Sequence, residues 1–336
     1  TSSGTDVSGQ NFGNFDKVTI SGMKFNDVNG DGIKDVGDNG VSGWKIYLSG
    51  SATDSTTTDG NGNYSFTNLG PGTYTLSEGV QNGWTQTTAN PSPITTSSGT
   101  DVTEQNFGNI ELGSISGMKF NDMDGDGVKD AEDNGVSGWK IYIGGTHVDS
   151  VLTDANGNYS FTNLALGSYT ISEEVQSGWQ QTSPAGGTYS ETITTSGTDL
   201  TGKNFGNFEK VSISGMKFND MDGDGTKDAE DTGLSGWKIY LNGSATDSAT
   251  TDVNGNYSFV GLGPGTYSLS EETQAGWVQT TSNPSAITTA SGTDVSGQNF
   301  GNFDKVSISG MKFNDMDGDG TKDAEDTGVS NWKIYL

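Results

Sequence analysis

Apolar and polar residues alternate in short runs along the whole chain. Val18-Thr-Ile20, Trp44-Lys-Ile-Tyr-Leu48, Asn63-Tyr-Ser-Phe66 and Tyr74-Thr-Leu-Ser-Glu78 all follow a period of two. They are rich in β-branched and aromatic residues and are bounded by Gly, Asn and Pro, which predicts half-buried strands. No stretch carries helical periodicity. About seven such runs between successive copies of the pattern predict a β-sandwich. Asp59-Gly-Asn61-Gly-Asn63 reads as a hairpin turn, with a second ion site as the alternative reading of its oxygen-rich side chains.

The pattern repeats. Ser-Gly-Met-Lys-Phe-Asn-Asp begins at Ser21, Ser116, Ser214 and Ser309, with spacings of 95, 98 and 95 residues. Trp-Lys-Ile-Tyr recurs at Trp44, Trp139, Trp237 and Trp332, and Asn-Phe-Gly-Asn at Asn11, Asn106, Asn204 and Asn299. A period of this size suits an independent domain with its own core better than a solenoid rung. The expected organisation is the last strand of a preceding repeat in 1–17 and whole repeats in 18–110, 111–209 and 210–305. Residues 306–336 are then the first part of a further repeat. The chain is expected to be a window cut from a longer array, with no signal peptide or anchor in view.

Composition narrows the function. The 336 residues carry 43 Asp and Glu against 16 basic residues, all of them Lys, for a net charge of −27. A chain this acidic lacks the basic face that nucleic acid or anionic lipid requires. Only 29% of residues are hydrophobic, and no apolar run is long enough to insert in a membrane. The absence of Cys excludes disulfides and thiolate chemistry, and His147 is the only histidine. No nucleophile–base pair or open metal site is visible, so an enzyme is not expected.

The acidity is concentrated. After the first predicted strand, oxygen-bearing side chains fall at Asp27, Asn29, Asp31, Asp35 and Asp38, with Gly32 at loop position 6 and the Ile33 carbonyl at position 7. This is the ligand spacing of an EF-hand calcium loop, with Asp in place of Glu at position 12. The second copy reads Asp122, Asp124, Asp126, Val128, Asp130 and Asp133. The third reads Asp220, Asp222, Asp224, Thr226, Asp228 and Asp231, and the fourth Asp315, Asp317, Asp319, Thr321, Asp323 and Asp326. Carboxylates this close repel one another until a hard cation takes them, and all-oxygen ligation favours Ca²⁺. The four loops hold 22 of the 43 acidic residues. With no helical pattern on either side, each is an EF-hand-like loop inserted in a β-domain.

Three polar residues fall where a core residue belongs. Lys24 shares the phase of Val18 and Ile20; Glu78 follows Tyr74 and Leu76; Asn106 is in phase with Val102. The same positions recur as Lys119, Glu173 and Asn204, and as Lys217, Glu271 and Asn299. Buried without partners, such groups are costly. Three readings stand side by side: a self-formed Lys–Asn isopeptide bond promoted by a protonated Glu, a buried hydrogen-bonded triad, or a solvent-facing set. Met23 and Phe25 occupy the opposite phase, so the buried face of this strand is ambiguous. Trp44 and Trp84 read as core or domain-contact aromatics. Asn63, Asn158, Asn242 and Asn256 head Asn-X-Ser sequons that could carry glycans on an exported chain.

Ile20-Ser-Gly-Met-Lys-Phe-Asn-Asp27, the acidic loop to Asp38, Gly43-Trp44, Gly72-Thr-Tyr74 through Glu78, and Asn106-Phe-Gly together resemble the SdrD B-like repeat of serine-aspartate-repeat surface proteins. That repeat is related to the collagen-adhesin B-type (CnaB) fold. The resemblance covers every repeat. It implies an all-β fold of tandem Ig-like, Greek-key sandwiches, Ca²⁺ in each acidic loop and a stalk role in a bacterial or archaeal surface or fibre protein. Tyr74-Thr-Leu-Ser-Glu78 also resembles the Glu-bearing strand of the isopeptide-forming branch. The expected function is a calcium-stabilised structural rod, extracellular, whose partners are neighbouring repeats and other copies of the fibre. The alternative is an adhesin recognising a host, matrix or glycan ligand.

Overall fold

A computed structural model describes residues 2–336. The chain divides into two compact units, one running through Lys210 together with Ala290–Gly292, the other Val211–Thr289 together with Thr293–Leu336. The first holds two sandwiches and the second holds one. Every described element is a strand, and no helix is long and apolar enough to cross a membrane.

The first repeat shows the plan. Its strands are β1 (Val18–Asn26), β2 (Lys45–Gly50), β3 (Asp54–Thr57), β4 (Asn63–Leu69), β5 (Gly72–Glu78), β6 (Trp84–Gln86), β7 (Ile94–Thr96) and β8 (Phe107–Glu111). One sheet has the order β4-β1-β8-β6 and the other β3-β2-β5-β7. The period-two pattern becomes the inner face: Ile46, Leu48, Tyr64, Phe66, Tyr74 and Leu76 are buried, and their polar neighbours face out. Each such side chain contributes about 1.5–3 kcal/mol on burial. Trp44 is buried edge-on to Trp84, with centroids 5.5 Å apart, and its indole N–H donates to the Gly79 carbonyl at 2.8 Å. The second and third repeats build equivalent cores around Trp139 and Trp237.

The pairing that matters for function is β1 with β8. They run parallel, with Lys24 opposite Phe107 and Asn26 opposite Asn109. First and last strands of the repeat therefore lie side by side, and the acidic loop leaves from the end of β1 beside the end of β8.

Residues 306–336 form one two-stranded ladder, Phe313–Asn314 with Thr327–Gly328. Val306, Ile308, Trp332 and Ile334 are exposed there, whereas their counterparts Val211, Ile213, Trp237 and Ile239 are buried.

Candidate functional site

Each acidic loop is shaped by its own carboxylates. Asp27, fully buried at the end of β1, donates its N–H to the Asn109 carbonyl at 2.9 Å. Its carboxylate accepts the N–H groups of Gly30 and Gly32, both at 2.8 Å. Asp38 closes the loop by accepting from Val28 at 2.9 Å and from Asp35 at 2.8 Å. Gly32 is required at its place: its φ is +79°, and a Cβ there would lie 3.3 Å from the Thr87 carbonyl. The fourth copy makes the same bonds from Asp315 to Gly318 and Gly320 although no complete sandwich surrounds it. The loop's shape is therefore local.

In the second, third and fourth loops the carboxylates at positions 1, 3 and 5 converge. Ligand atoms of Asp122, Asp124 and Asp126 lie within 4.8 Å of one another, as do those of Asp220, Asp222 and Asp224, and of Asp315, Asp317 and Asp319. In the first loop Asn29 stands at position 3, and its amide donates to Asp31 at 3.0 Å and Asp35 at 3.3 Å. Asp130, Asp228 and Asp323 donate their N–H groups to Asp133, Asp231 and Asp326, which places positions 9 and 12 on the same loop. The position-7 side chains of Ile33 and Val128 point to solvent. The Asp126 N–H favours the charged form of Asp124, but lost solvent and the repulsion of Asp126 and Asp122 outweigh it and raise its pKa.

Two observations bear on whether a cation fits. Among the described residues no lysine forms an ion pair with a loop carboxylate; the loops' own Lys34, Lys129 and Lys227 donate to the main-chain carbonyls of Asp35, Asp130 and Asp228, at 2.9, 2.5 and 2.5 Å. In addition, the Thr87, Thr182 and Thr280 hydroxyl oxygens are buried without a hydrogen-bond partner of good geometry. In the third repeat this hydroxyl faces the Asp220 carboxyl. Burial pushes Asp220 up, but Thr280 with the Gly225 and Gly223 N–H groups outweighs burial and leaves its pKa lowered. Converging hard oxygens with uncompensated charge are a donor set that fits Ca²⁺.

The second set lies inside the sandwich. Lys24 is fully buried, with Nζ 2.9 Å from Glu78 Oε2 and 4.3 Å from the centre of the Trp44 ring. The third partner differs from expectation. Lys24 Nζ donates to Asn109 Oδ1, and Asn109 Nδ2 donates to Glu78 Oε1 at 2.8 Å. Asn106 instead accepts the Met23 N–H at 2.9 Å, as Asn204 and Asn299 accept those of Met118 and Met216 at 3.0 Å. These three asparagines staple the strand and do not reach the amine.

The same triad recurs. Lys217 contacts Glu271 at 3.0 Å and donates to Asn302. Lys119 lies 3.3 Å from Glu173, beside the buried Asn207, whose Oδ1 has no partner. Burial lowers Lys24, Lys119 and Lys217 to about 8 against the pull of their glutamates. Burial likewise raises Glu173. An amine that loses its proton easily, a carboxamide in contact with it and a carboxyl bonded to both are the groups that amide exchange requires.

The SdrD B-like domain profile matches residues 18–116, 113–205 and 211–305. Serine-aspartate repeat-containing protein F of Staphylococcus epidermidis is 31% identical over 299 residues, spanning 80% of this chain and 17% of that protein. Serine-aspartate repeat-containing protein D of Staphylococcus aureus strain MW2 is 28% identical over 372 residues, 95% of this chain and 27% of that protein. The chain thus spans about a quarter or less of these relatives. Among solved structures, BcpA, the major pilin subunit of Bacillus cereus, aligns with 86% of this chain and 100% of its own at 10% identity, TM-score 0.42. The Bacillus anthracis TIE protein aligns with 86% and 51% at 19% identity, TM-score 0.39. With three tandem matches covering most of its length, this chain belongs to the SdrD B-like domain family.

Proposed function

We propose that this chain is a stretch of an extracellular fibre or cell-surface stalk, a structural rod of β-sandwiches each stabilised by calcium in its acidic loop. The observation that carries this reading is the recurrence, in every complete repeat, of an acidic loop whose carboxylates form no ion pair with a lysine, beside a buried Lys–Glu pair with an asparagine next to it. Position 1, 3, 5, 9 and 12 side chains with the position-7 carbonyl would hold the ion. Calcium there neutralises the loop charge and fixes the end of β1. Its direct partners are neighbouring repeats and other copies of the fibre, and the exposed sequon residues Asn63, Asn158, Asn242 and Asn256 are the places for glycans. Near-identical repeats suit a spacer better than a recognition domain, which would differ from its neighbours.

The Lys24–Glu78–Asn109 contact serves the same role. In the reactive form, neutral Lys24 Nζ attacks Asn109 Cγ, Glu78 passes the amine proton to the departing nitrogen, and ammonia leaves. The product joins β1 to β8 and carries tension past the hydrogen-bonded ladder. The rod reading is tested by melting the chain with calcium and with chelator. A ligand bound only by the folded state adds about 2.7 kcal/mol per site at a hundredfold excess over Kd. A lower melting temperature in chelator is expected; coincident curves refute the calcium reading.

A further inference from the structure

Inside the first compact unit, the acidic loop of the first repeat has a second face. Positions 1, 5, 9 and 12 carry the carboxylates Asp27, Asp31, Asp35 and Asp38, with Asn29 at position 3. Its neighbouring positions hold the second repeat. Ser196 donates its N–H to the Val28 carbonyl at 3.0 Å, and its hydroxyl to Asn26 Oδ1 at 2.6 Å. The same hydroxyl accepts the Glu111 N–H at 2.7 Å, and Gly197 donates to the Glu111 carbonyl at 2.9 Å. Ser196 thus ties the end of β8 and the start of the loop to one point.

An apolar contact stands beside this clasp. Gly30, at loop position 4 with φ +71°, lies under Leu166 of the second repeat. A Cβ on Gly30 would meet Leu166 Cδ1 at 2.7 Å and Ile110 Cγ2 at 3.5 Å. The left-handed φ favours glycine here, and any Cβ would have to push the Leu166 methyl aside.

The two faces of the loop share their fastenings. Val28, whose carbonyl takes Ser196, is pinned through its N–H by Asp38; Gly30, which seats Leu166, is pinned by Asp27. Any force that draws Asp27 and Asp38 together also sets the positions of Val28 and Gly30. The serine of this clasp recurs. In the first repeat, Ser98 accepts the Asp16 N–H at 2.8 Å, Gly99 donates to the Asp16 carbonyl at 3.1 Å, and Phe15 packs on Gly70. Ser291 occupies the corresponding sequence position in the third repeat.

We infer that the acidic loop is the socket for the following repeat, with Ser196 and Leu166 as the plug, so that a divalent cation in Asp27–Asp38 governs the stiffness of the joint. The inference rests on the calcium reading of the loop. It adds that metal acts between repeats as well as within one. Without the cation the loop keeps its local turns, but mutual repulsion of the carboxylates loosens Val28 and Gly30 and the joint bends.

The full chain has no Cys, so a spin-label pair can be introduced cleanly at exposed Ser65 and Ser160 as Ser65→Cys and Ser160→Cys. Distances between the labels are measured with calcium and with chelator, and calcium binding is followed by calorimetry on the same samples. A narrow distribution with calcium that broadens in chelator is expected. The Ser196→Ala/Leu166→Ala variant should be broad even with calcium while binding the same number of ions. Calcium binding with an equally narrow distribution in both conditions overturns the joint and leaves the calcium reading intact. A narrow distribution in the calcium-loaded double variant overturns the socket assignment. No calcium binding overturns both.

Discussion

Lys24 Nζ lies 2.9 Å from Glu78 Oε2 at a place where neither side chain has solvent to share. The pair sits between the two sheets of the first sandwich, beneath Trp44. Its cost in solvation is set against a close ionic contact and the Asn109 hydrogen bonds, and desolvation wins for the amine, whose pKa falls to about 8.

This fixes a pH dependence. In the Asn109→Ala/Asn207→Ala/Asn302→Ala protein the three amines stay free. Each is lowered from 10.5 to about 8 on folding, so between those values the unfolded chain binds more protons. Stability therefore rises as pH goes from about 8 towards 10. Beyond the ordinary tyrosine range, buried Tyr64 and Tyr257, whose pKa values are raised, oppose the gain. Chemical denaturation at stepped pH reads the slope. Adding Lys24→Met, Lys119→Met and Lys217→Met should abolish it.

The proposed covalent bond would have a clean mass signature. The wild-type chain should be lighter than its sequence by one ammonia for each bonded repeat. Asn109→Ala should restore one ammonia, whereas Asn106→Ala should not, because Asn106 only accepts the Met23 N–H. Glu78→Gln should restore one as well. Lys24 and Asn109 lie 85 residues apart, and cross-linking a loop of that size is worth about 4–5 kcal/mol in the chain-entropy account. A full unmodified mass for the wild-type chain would show that the triad is only a buried polar contact.

The asparagine exchange shows where the sequence stops being readable. Lys24 keeps phase with Val18 and Ile20 because β1 is one continuous strand, and Glu78 keeps phase with Tyr74 and Leu76 for the same reason. Asn106 was in phase with Val102, but no regular strand joins them. Glu104 adopts φ 60°, and β8 begins only at Phe107. Counted from the buried Phe107, the inward position is Asn109, the last residue of the Asn-Phe-Gly-Asn motif. The ambiguity of β1 resolves for a different reason: Lys24 and Phe25 are both buried, since Gly108 and Thr87 cover the outer face at Phe25. Loop spacing was legible because the ligands are adjacent in sequence. The Ser196 clasp was not, because it depends on how two folded repeats meet.

Calcium removal should act locally as well as globally. Asp31 accepts the Ile33 N–H at 2.8 Å and stands at loop position 5, where it would be a ligand, and all its bonds stay within its own loop. Asp31→Ala should therefore lower the melting of the first repeat and expose its loop to protease in the presence of calcium. The second and third repeats should keep their calcium-dependent stability. Mass spectrometry of limited digests locates the cut. Equal protection of all loops in the variant would mean that Asp31 is no ligand.

The orphaned threonine hydroxyls give the most selective test of the metal loops. Thr87, Thr182 and Thr280 each bury an oxygen that lacks a good partner, and Thr280 faces the first carboxylate of its loop. The main-chain carbonyls of the same residues lie against Gly32, Gly127 and Gly225 at loop position 6. A hydroxyl so placed orients the position-1 carboxylate toward an ion, and supports of this kind alter metal affinity by about tenfold or more. Valine keeps the shape and removes a hydroxyl that lacks a hydrogen-bond partner of good geometry, so little is lost in the metal-free fold. Thr87→Val/Thr182→Val/Thr280→Val should weaken calcium binding by about tenfold while leaving the melting temperature in chelator unchanged or slightly raised. Calorimetric titration and melting on the same sample separate the two effects. Unchanged calcium affinity would assign these threonines to packing alone.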